Sequence, residues 1–198
     1  MTRGLSLVVL AGGLSRRMGR DKATLSAGGP TITERIIERL SPVVDEVILA
    51  AGARNLELGG ARIVHDHFPG AGPLAGIHAG LRATAFDYAW VVACDYPDID
   101  PAIGRCLARA VTGFDVAVPL IAGRAQGVCA VYSVRLVALI EQLIGSDRRS
   151  VDALLESCSV RYLDEGELRQ VEPKLRSFRN LNTPADYDEW LRSTPARC

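Results

Sequence analysis

The chain has 198 residues, 48% hydrophobic and 23% charged, and its 23 basic and 23 acidic side chains cancel to zero net charge. That balance argues against a generally cationic nucleic-acid binder and against an acidic disordered tail, and no apolar run reaches the roughly 18 residues of a membrane helix. The length predicts one domain, 1–198, with a sizeable core. The N-terminus has neither the apolar stretch nor the cleavage pattern of a signal peptide, which points to the cytoplasm.

In chain order, the run LSLVVL (5–10) predicts a first strand, apolar but for Ser6, and several of the later strand runs are continuously apolar as expected when both sheet faces are covered. It breaks at Ala11-Gly12-Gly13, and Arg16, Arg17, Arg20 and Lys22 then fall within seven residues. The run TITERIIERL (31–40) predicts a helix with Ile32, Ile36, Ile37 and Leu40 on one face and Thr31 and Glu34 in capping-box spacing. Strands are predicted at 46–51, 61–65, 88–95, 115–120 and 127–133. Helices are predicted at 73–85 and 101–111, each opened by a proline, and at 134–145, 148–156 and 183–191. Thr183 and Asp186 have the spacing to cap the last one. Alternating strands and helices predict a three-layer α/β/α sandwich around a mainly parallel, Rossmann-like sheet. The five cysteines (94, 106, 129, 158 and 198) are odd in number and lack CxxC spacing, so reduced thiols are expected rather than disulfides or zinc.

The opening loop carries the chemistry. In open α/β sheets, ligands bind beyond the carboxyl ends of the strands. Glycines there let backbone N–H groups approach a phosphate, and arginine forks with a lysine point charge neutralise its oxygens. Lysine is scarce, with only Lys22 and Lys174 against 21 arginines, which makes its presence in this loop notable. The loop is neither a Walker loop nor a GxGxxG fingerprint. A later strand runs into Asp95, followed by Asp98 and Asp100. Asp100 precedes Pro101 and reads as a helix cap, and Asp98 as a turn residue. A carboxylate ending a strand beside a phosphate loop suits magnesium, which takes one or two carboxylates and fills its remaining positions with water and phosphate oxygens. His65-Asp66-His67 is weak as a metal motif without a third ligand, and His78 reads as a packed core residue. Asn180 and Asn182 precede a capped helix, where asparagine also serves as a turn former. Arg148 and Arg149 are candidates for anchoring an anionic acceptor.

The stretch LAGGLSRRMGRDKATL (10–25) resembles the LAGGxSxRMGxDKxxL signature of the molybdenum cofactor guanylyltransferases, a branch of the nucleotidyltransferases. DHFPGAGPLAGIHAGL (66–81), ACDYP (93–97) and FRNLNTPADY (178–187) resemble that family's other blocks, so the likeness runs from residue 5 to about 190. Two positions depart from it: Ala50 stands where some members carry asparagine, and Gln126-Gly127 where Gln-Pro is frequent.

The resemblance implies transfer of GMP from GTP to the terminal phosphate of the molybdopterin cofactor, releasing pyrophosphate. Arg17, Lys22 and Asp95 would be catalytic, with Mg²⁺ on Asp95. Leu10, Ala11, Gly12, Gly13, Lys22, Asp66, Asp95, Asn180 and Asn182 would bind the substrates. It also implies transient contact with proteins that deliver the cofactor or mature molybdoenzymes, and neither nucleic acid nor membrane as partner. Cytidylyl transfer to the same cofactor and nucleotidyl transfer to a sugar phosphate are the alternatives within the enzyme class. A non-catalytic nucleotide-binding protein is the alternative outside it. Lys22 and Asp95 are expected to converge on one triphosphate, and residues 14–21 to be disordered until an anion neutralises their charge.

Overall fold

The computed structural model describes residues 4–12, 29–52 and 60–193. The first half alternates as predicted: β1 (Leu5–Leu10), α1 (Ile32–Leu40), β2 (Glu46–Ala50), β3 (Arg62–Val64), α2 (Pro73–Ala83), β4 (Tyr88–Ala93) and α3 (Pro101–Ala110). The second half is busier. It contains β5 (Val116–Ile121), β6 (Arg124–Ala125), β7 (Cys129–Ser133), α4 (Val137–Gly145), α5 (Val151–Leu155), β8 (Val160–Leu163), α6 (Glu165–Arg169) and α7 (Pro184–Ser193).

The strands form one sheet in the order β3-β2-β1-β4-β7-β5-β6, with β8 also paired to β5. β1 pairs in parallel with both β2 and β4, β2 with β3, and β5 with β8, whereas β7 runs antiparallel between β4 and β5. The sheet is therefore mainly parallel, with two reversed strands, β7 inserted between β4 and β5 and β6 at the edge beyond β5. The reversal follows from chain length: a handful of residues joins β5 to β6 and β7, enough for a hairpin and too few for a crossover.

The two faces of the sheet are both buried, which is why the strands read as unbroken apolar runs. Leu7, Val9, Leu49, Trp90 and Val92 point to one side, where they meet Ile32 and Ile36 of α1, Ile103 and Leu107 of α3, Leu168 of α6 and Trp190 of α7. Val8, Ile48, Val91 and Ala130 point to the other, against Leu74 and Ile77 of α2, Ile140 of α4 and Leu154 of α5. Each valine, leucine or isoleucine among them contributes roughly 1.5–3 kcal/mol on burial, so this alternation fixes the three layers and the register together.

Local signals hold where they were strong. Thr31 and Glu34 form the capping box of α1. Asp100 caps α3 by accepting the Ala102 N–H. Asp186 accepts the Thr183 N–H at the start of α7 and donates its own to the Thr183 hydroxyl. Asp98 accepts the Trp190 indole N–H, which ties α7 to the turn after β4. The predicted helix over 134–145 opens as a 3-10 turn before α4, and the one over 148–156 begins at the Ser150 cap rather than directly after Asp147. β6, β8 and α6 were not predicted. None of the described helices is long and apolar enough to cross a membrane. Cys94, Cys106, Cys129 and Cys158 are free thiols; Cys198 lies outside the described residues.

Candidate functional site

The carboxyl ends of β1 to β4 are joined by their exit segments. The Leu10 carbonyl accepts the Cys94 N–H at 3.2 Å, Ala11 N–H donates to the Ala50 carbonyl at 2.9 Å, and Ala51 N–H to the Val64 carbonyl at 3.0 Å. Beyond them the two exit loops touch backbone to backbone. A Cβ on Gly12 would lie 2.8 Å from both Cα and N of Gly52, which itself sits at φ +63°. Gly12 is thus required by loop packing, independently of any phosphate. Ala50 is buried, and its Cβ lies 3.7 Å from the Cβ position of Gly76, so it packs against α2 and offers no polar group there.

Asp66 stands at the same edge. Its Oδ1 is 4.0 Å from the Cβ position of Gly76, which also has Leu10 Cδ2 at 3.0 Å, so the carboxylate lies near the first turns of α2 and the end of β1. Burial raises the Asp66 carboxyl above its ordinary value, and the chain's three histidines (65, 67 and 78) oppose that rise. Asp66 Oδ1 is buried with no hydrogen-bond partner among the described residues. The histidines do not share a ligand. His65 Nδ1 is 3.0 Å from the Gly52 carbonyl, and His78 Nε2 is 2.9 Å from Glu141 Oε1, an oxygen that also accepts from Arg82. His78 is buried and packs edge-on against His67 and Phe68. Among the described residues no three His, Cys, Asp or Glu side chains are arranged to hold a metal ion.

Asp95 follows β4, and its carbonyl accepts the Leu181 N–H at 3.0 Å. This one bond holds residues 180–182 against the strand end, so Asn180 and Asn182 flank the Asp95 segment although they lie some 85 positions away in sequence. Tyr96, 1% exposed, completes the contact. Its hydroxyl donates to Gln126 Oε1 at 3.0 Å and accepts from Asn180 Nδ2 at 3.3 Å. Burial pushes the Tyr96 phenol far above its usual value, with nearby Cys129 and Asp95 adding to the rise, so it stays protonated and serves as a fixed hydrogen-bond relay. Sequence reasoning missed Tyr96, because both of its partners are distant in the chain.

β6 and β7 continue one another across the bulge Gln126-Gly127-Val128. Gln126 N–H reaches the Pro119 carbonyl, and the Val128 carbonyl accepts the Ala93 N–H. Beside this bulge lies a cavity of about 800 Å³ whose lining includes Arg124, Gln126, Asp152, Asn180, Asn182 and Asp186. Asp186 Oδ2 takes the Asn182 and Thr183 N–H groups, and these bonds hold its carboxyl below the usual range. Arg148 and Arg149 are not part of this lining; they pair on the surface with Glu156 at 3.4 Å and Asp147 at 2.9 Å.

The structure therefore gathers Leu10, Ala11, Gly12, Asp66, Asp95, Asn180 and Asn182 along one edge of the sheet. Gly13, Arg16, Arg17, Arg20 and Lys22 lie outside the described residues, and with them the expected approach of Lys22 to Asp95 and the expected state of residues 14–21.

Residues 7–162 match the family model described as MobA-like NTP transferase domain. A probable molybdenum cofactor guanylyltransferase of Pelotomaculum thermopropionicum is 39% identical over 180 residues, covering 90% of this chain and 88% of that protein. A molybdenum cofactor guanylyltransferase of Desulfosudis oleivorans is 34% identical, with 92% of each chain covered. Among solved structures, molybdopterin-guanine dinucleotide biosynthesis protein A from Archaeoglobus fulgidus superposes with a TM-score of 0.81 at 27% identity, covering 95% of this chain and 97% of that one. The 2-C-methyl-D-erythritol 4-phosphate cytidylyltransferase of Thermus thermophilus shares the fold alone, with a TM-score of 0.70 at 16% identity over 94% of this chain and 98% of that one.

Proposed function

The chain belongs to the MobA-like NTP transferase family, and from that premise we propose that it is a nucleotidyltransferase moving GMP from GTP to the terminal phosphate of molybdenum-bearing molybdopterin. The observation that carries most weight is the pair of backbone bonds, Leu10 to Cys94 and Asp95 to Leu181. Together they draw the nucleotide-side loop, the strand-end carboxylate and the two asparagines to one edge.

The reaction is an in-line displacement at the α-phosphorus of GTP. A terminal phosphate oxygen of the acceptor forms the new P–O bond while the bond to the bridging α–β oxygen breaks, and pyrophosphate leaves with that electron pair. A phosphate monoester is already anionic near neutral pH, so no side chain need take a proton. The protein's task is to hold two polyanions together and to stabilise spreading charge.

Backbone N–H groups at Gly12 and Gly13, with Arg17 and Lys22, receive the triphosphate in this reading. Asp66 accepts hydrogen bonds from the guanosine. Asn180 and Asn182 orient the acceptor phosphate, and the Tyr96 hydroxyl fixes the Asn180 amide. Asp95, together with Asn180 Oδ1, which is buried with no partner among the described residues, offers the hard oxygen donors a divalent magnesium ion prefers. When bound, such an ion supplies positive charge to the phosphate oxygens.

The test is incubation of the protein with GTP, magnesium and molybdopterin, followed by mass analysis. The guanine dinucleotide form and pyrophosphate should appear, and GTP should outcompete CTP. Preference for CTP would move the protein to the cytidylyl branch. Nucleotide binding without pyrophosphate release would make it a binding protein.

A further inference from the structure

The cavity beside the bulge has charged groups of both signs in its lining, and their states of engagement differ. Asp186 is occupied by two backbone N–H groups. Arg124 offers only donors. Asp152 is exposed at the second position of α5, and its carboxylate makes no hydrogen bond or ion pair with any described residue. It is the lining carboxylate with both oxygens open to an incoming donor pair.

Its support is rigid. Ser150 caps α5 by accepting the Ala153 N–H, and Val151 packs into the bulge, its Cγ1 only 2.4 Å from where a Cβ of Gly127 would stand. The Tyr132 hydroxyl donates to the Gly127 carbonyl at 2.5 Å and fixes the other side of the bulge. The missing Cβ of Gly127 leaves the room that Val151 fills, and so sets the first turn of α5 beside Gln126.

We propose that Asp152 reads the 2-amino-4-oxo edge of the acceptor's pterin ring, making it a specificity-determining residue of the acceptor pocket. The inference rests on the guanylyltransferase reading above and names the part of the acceptor that this cavity recognises. A pterin presents N3–H and its 2-amino group side by side. Two parallel donors match the two oxygens of a carboxylate and repel a guanidinium, so of the lining's charged groups only an uncommitted carboxylate fits. The cavity, about 800 Å³, falls within the roughly 300–1,000 Å³ typical of small-molecule sites. Its asparagine wall adjoins Asp95, where the phosphate end of the acceptor belongs, and this leaves the remaining walls for the ring.

The experiment uses two fluorescent probes with the full chain: neopterin monophosphate, and the corresponding lumazine phosphate, whose 2-oxo group replaces the 2-amino donor. The wild-type protein should bind the pterin at least about tenfold more tightly, the scale of a charged hydrogen bond gained against an unpaired one. Asp152→Asn should bring that ratio close to one. It should also raise the KM for molybdopterin by about tenfold or more at little cost in kcat, with calorimetric affinity for GTP unchanged. Because the side chain is exposed and bonds nothing described, this variant keeps the fold, and circular dichroism checks that directly. A pterin preference retained in Asp152→Asn, or absent from the wild-type protein, overturns the proposal even if guanylylated product forms normally. Preference that depends on Asp152, in a protein that makes no product from GTP, would leave the proposal standing and bring down the catalytic reading instead.

Discussion

The two halves of the sheet are built by different rules. From β3 to β4 every pairing is parallel, each strand is backed by helices, and the edge consists of strand-to-helix turns braced by backbone hydrogen bonds. From β7 outward the pairings mix directions, a bulge interrupts the ladder, and helices of five residues do the work of longer ones. The first architecture yields a braced edge bearing Asp66 and Asp95, at the carboxyl ends of the strands where open parallel sheets generally bind ligands, and the proposed reading gives it the polyphosphate. The second yields a walled cavity suited to an irregular partner. A nucleotidyltransferase needs one of each, and Asp95 lies at the seam.

The seam is where the largest effect is expected. Asp95→Ala should reduce turnover by on the order of 10²-fold or more while the fold survives, and Lys22→Ala should do the same. Near-wild-type pyrophosphate release in either purified variant would break the division of labour.

The parallel half can be strained without touching the other. Gly12→Ala drives a methyl group into the Gly52 backbone and should cost about 1–3 kcal/mol in denaturant unfolding, with weaker GTP binding. Equal stability of the variant and the wild type would show that the two exit loops part more easily than their contact implies.

On the cavity side, Tyr96→Phe leaves Gln126 and Asn180 each short of a partner. About 1–2 kcal/mol of stability should be lost, and the acceptor KM should rise more than the affinity for GTP falls. A uniform loss on both substrates would mean the halves are coupled through this hydroxyl.

The smallest effect is electrostatic. Burial raises the Asp66 carboxyl, so the charged form is disfavoured in the folded state and opposes folding once pH exceeds the raised folded value. Asp66→Asn should therefore increase the melting temperature at pH 7 by a few degrees. That gain should shrink as pH falls and vanish below the ordinary carboxyl value of 3.8. GTP affinity should drop in the same variant. A melting temperature independent of this substitution at every pH would remove burial as the dominant influence on Asp66.

How much of this the sequence disclosed also divides along the seam. β1 and β4 were legible because strands buried on both faces must be apolar throughout, and α1 and α3 because Thr31, Glu34, Asp100 and Pro101 announce helix starts. β8 was missed because it has only one well-buried residue, Leu163, and no unbroken apolar run. α6 carried a readable signal, since Asp164 and Glu167 form a capping box, but it spans only five residues. β6 is two residues long and exists only because its hairpin partner β5 is there. At the site, Asp66, Asp95, Asn180 and Asn182 were legible through the motif resemblance. Tyr96 and Arg124 were not, because what they do depends on contacts between distant segments, which no local spacing encodes.

The hydrogen bond from Leu181 to the Asp95 carbonyl also bears on how the protein is made. A ribosome that has delivered everything through α3 has supplied the β3-β2-β1-β4 half of the sheet, yet every residue that lines the cavity is still untranslated. Only when residue 181 clears the exit tunnel and zips onto the strand end can that chamber close. In the proposed reading, a growing chain thus completes its nucleotide-side sheet edge well before it acquires a place to receive the second reactant.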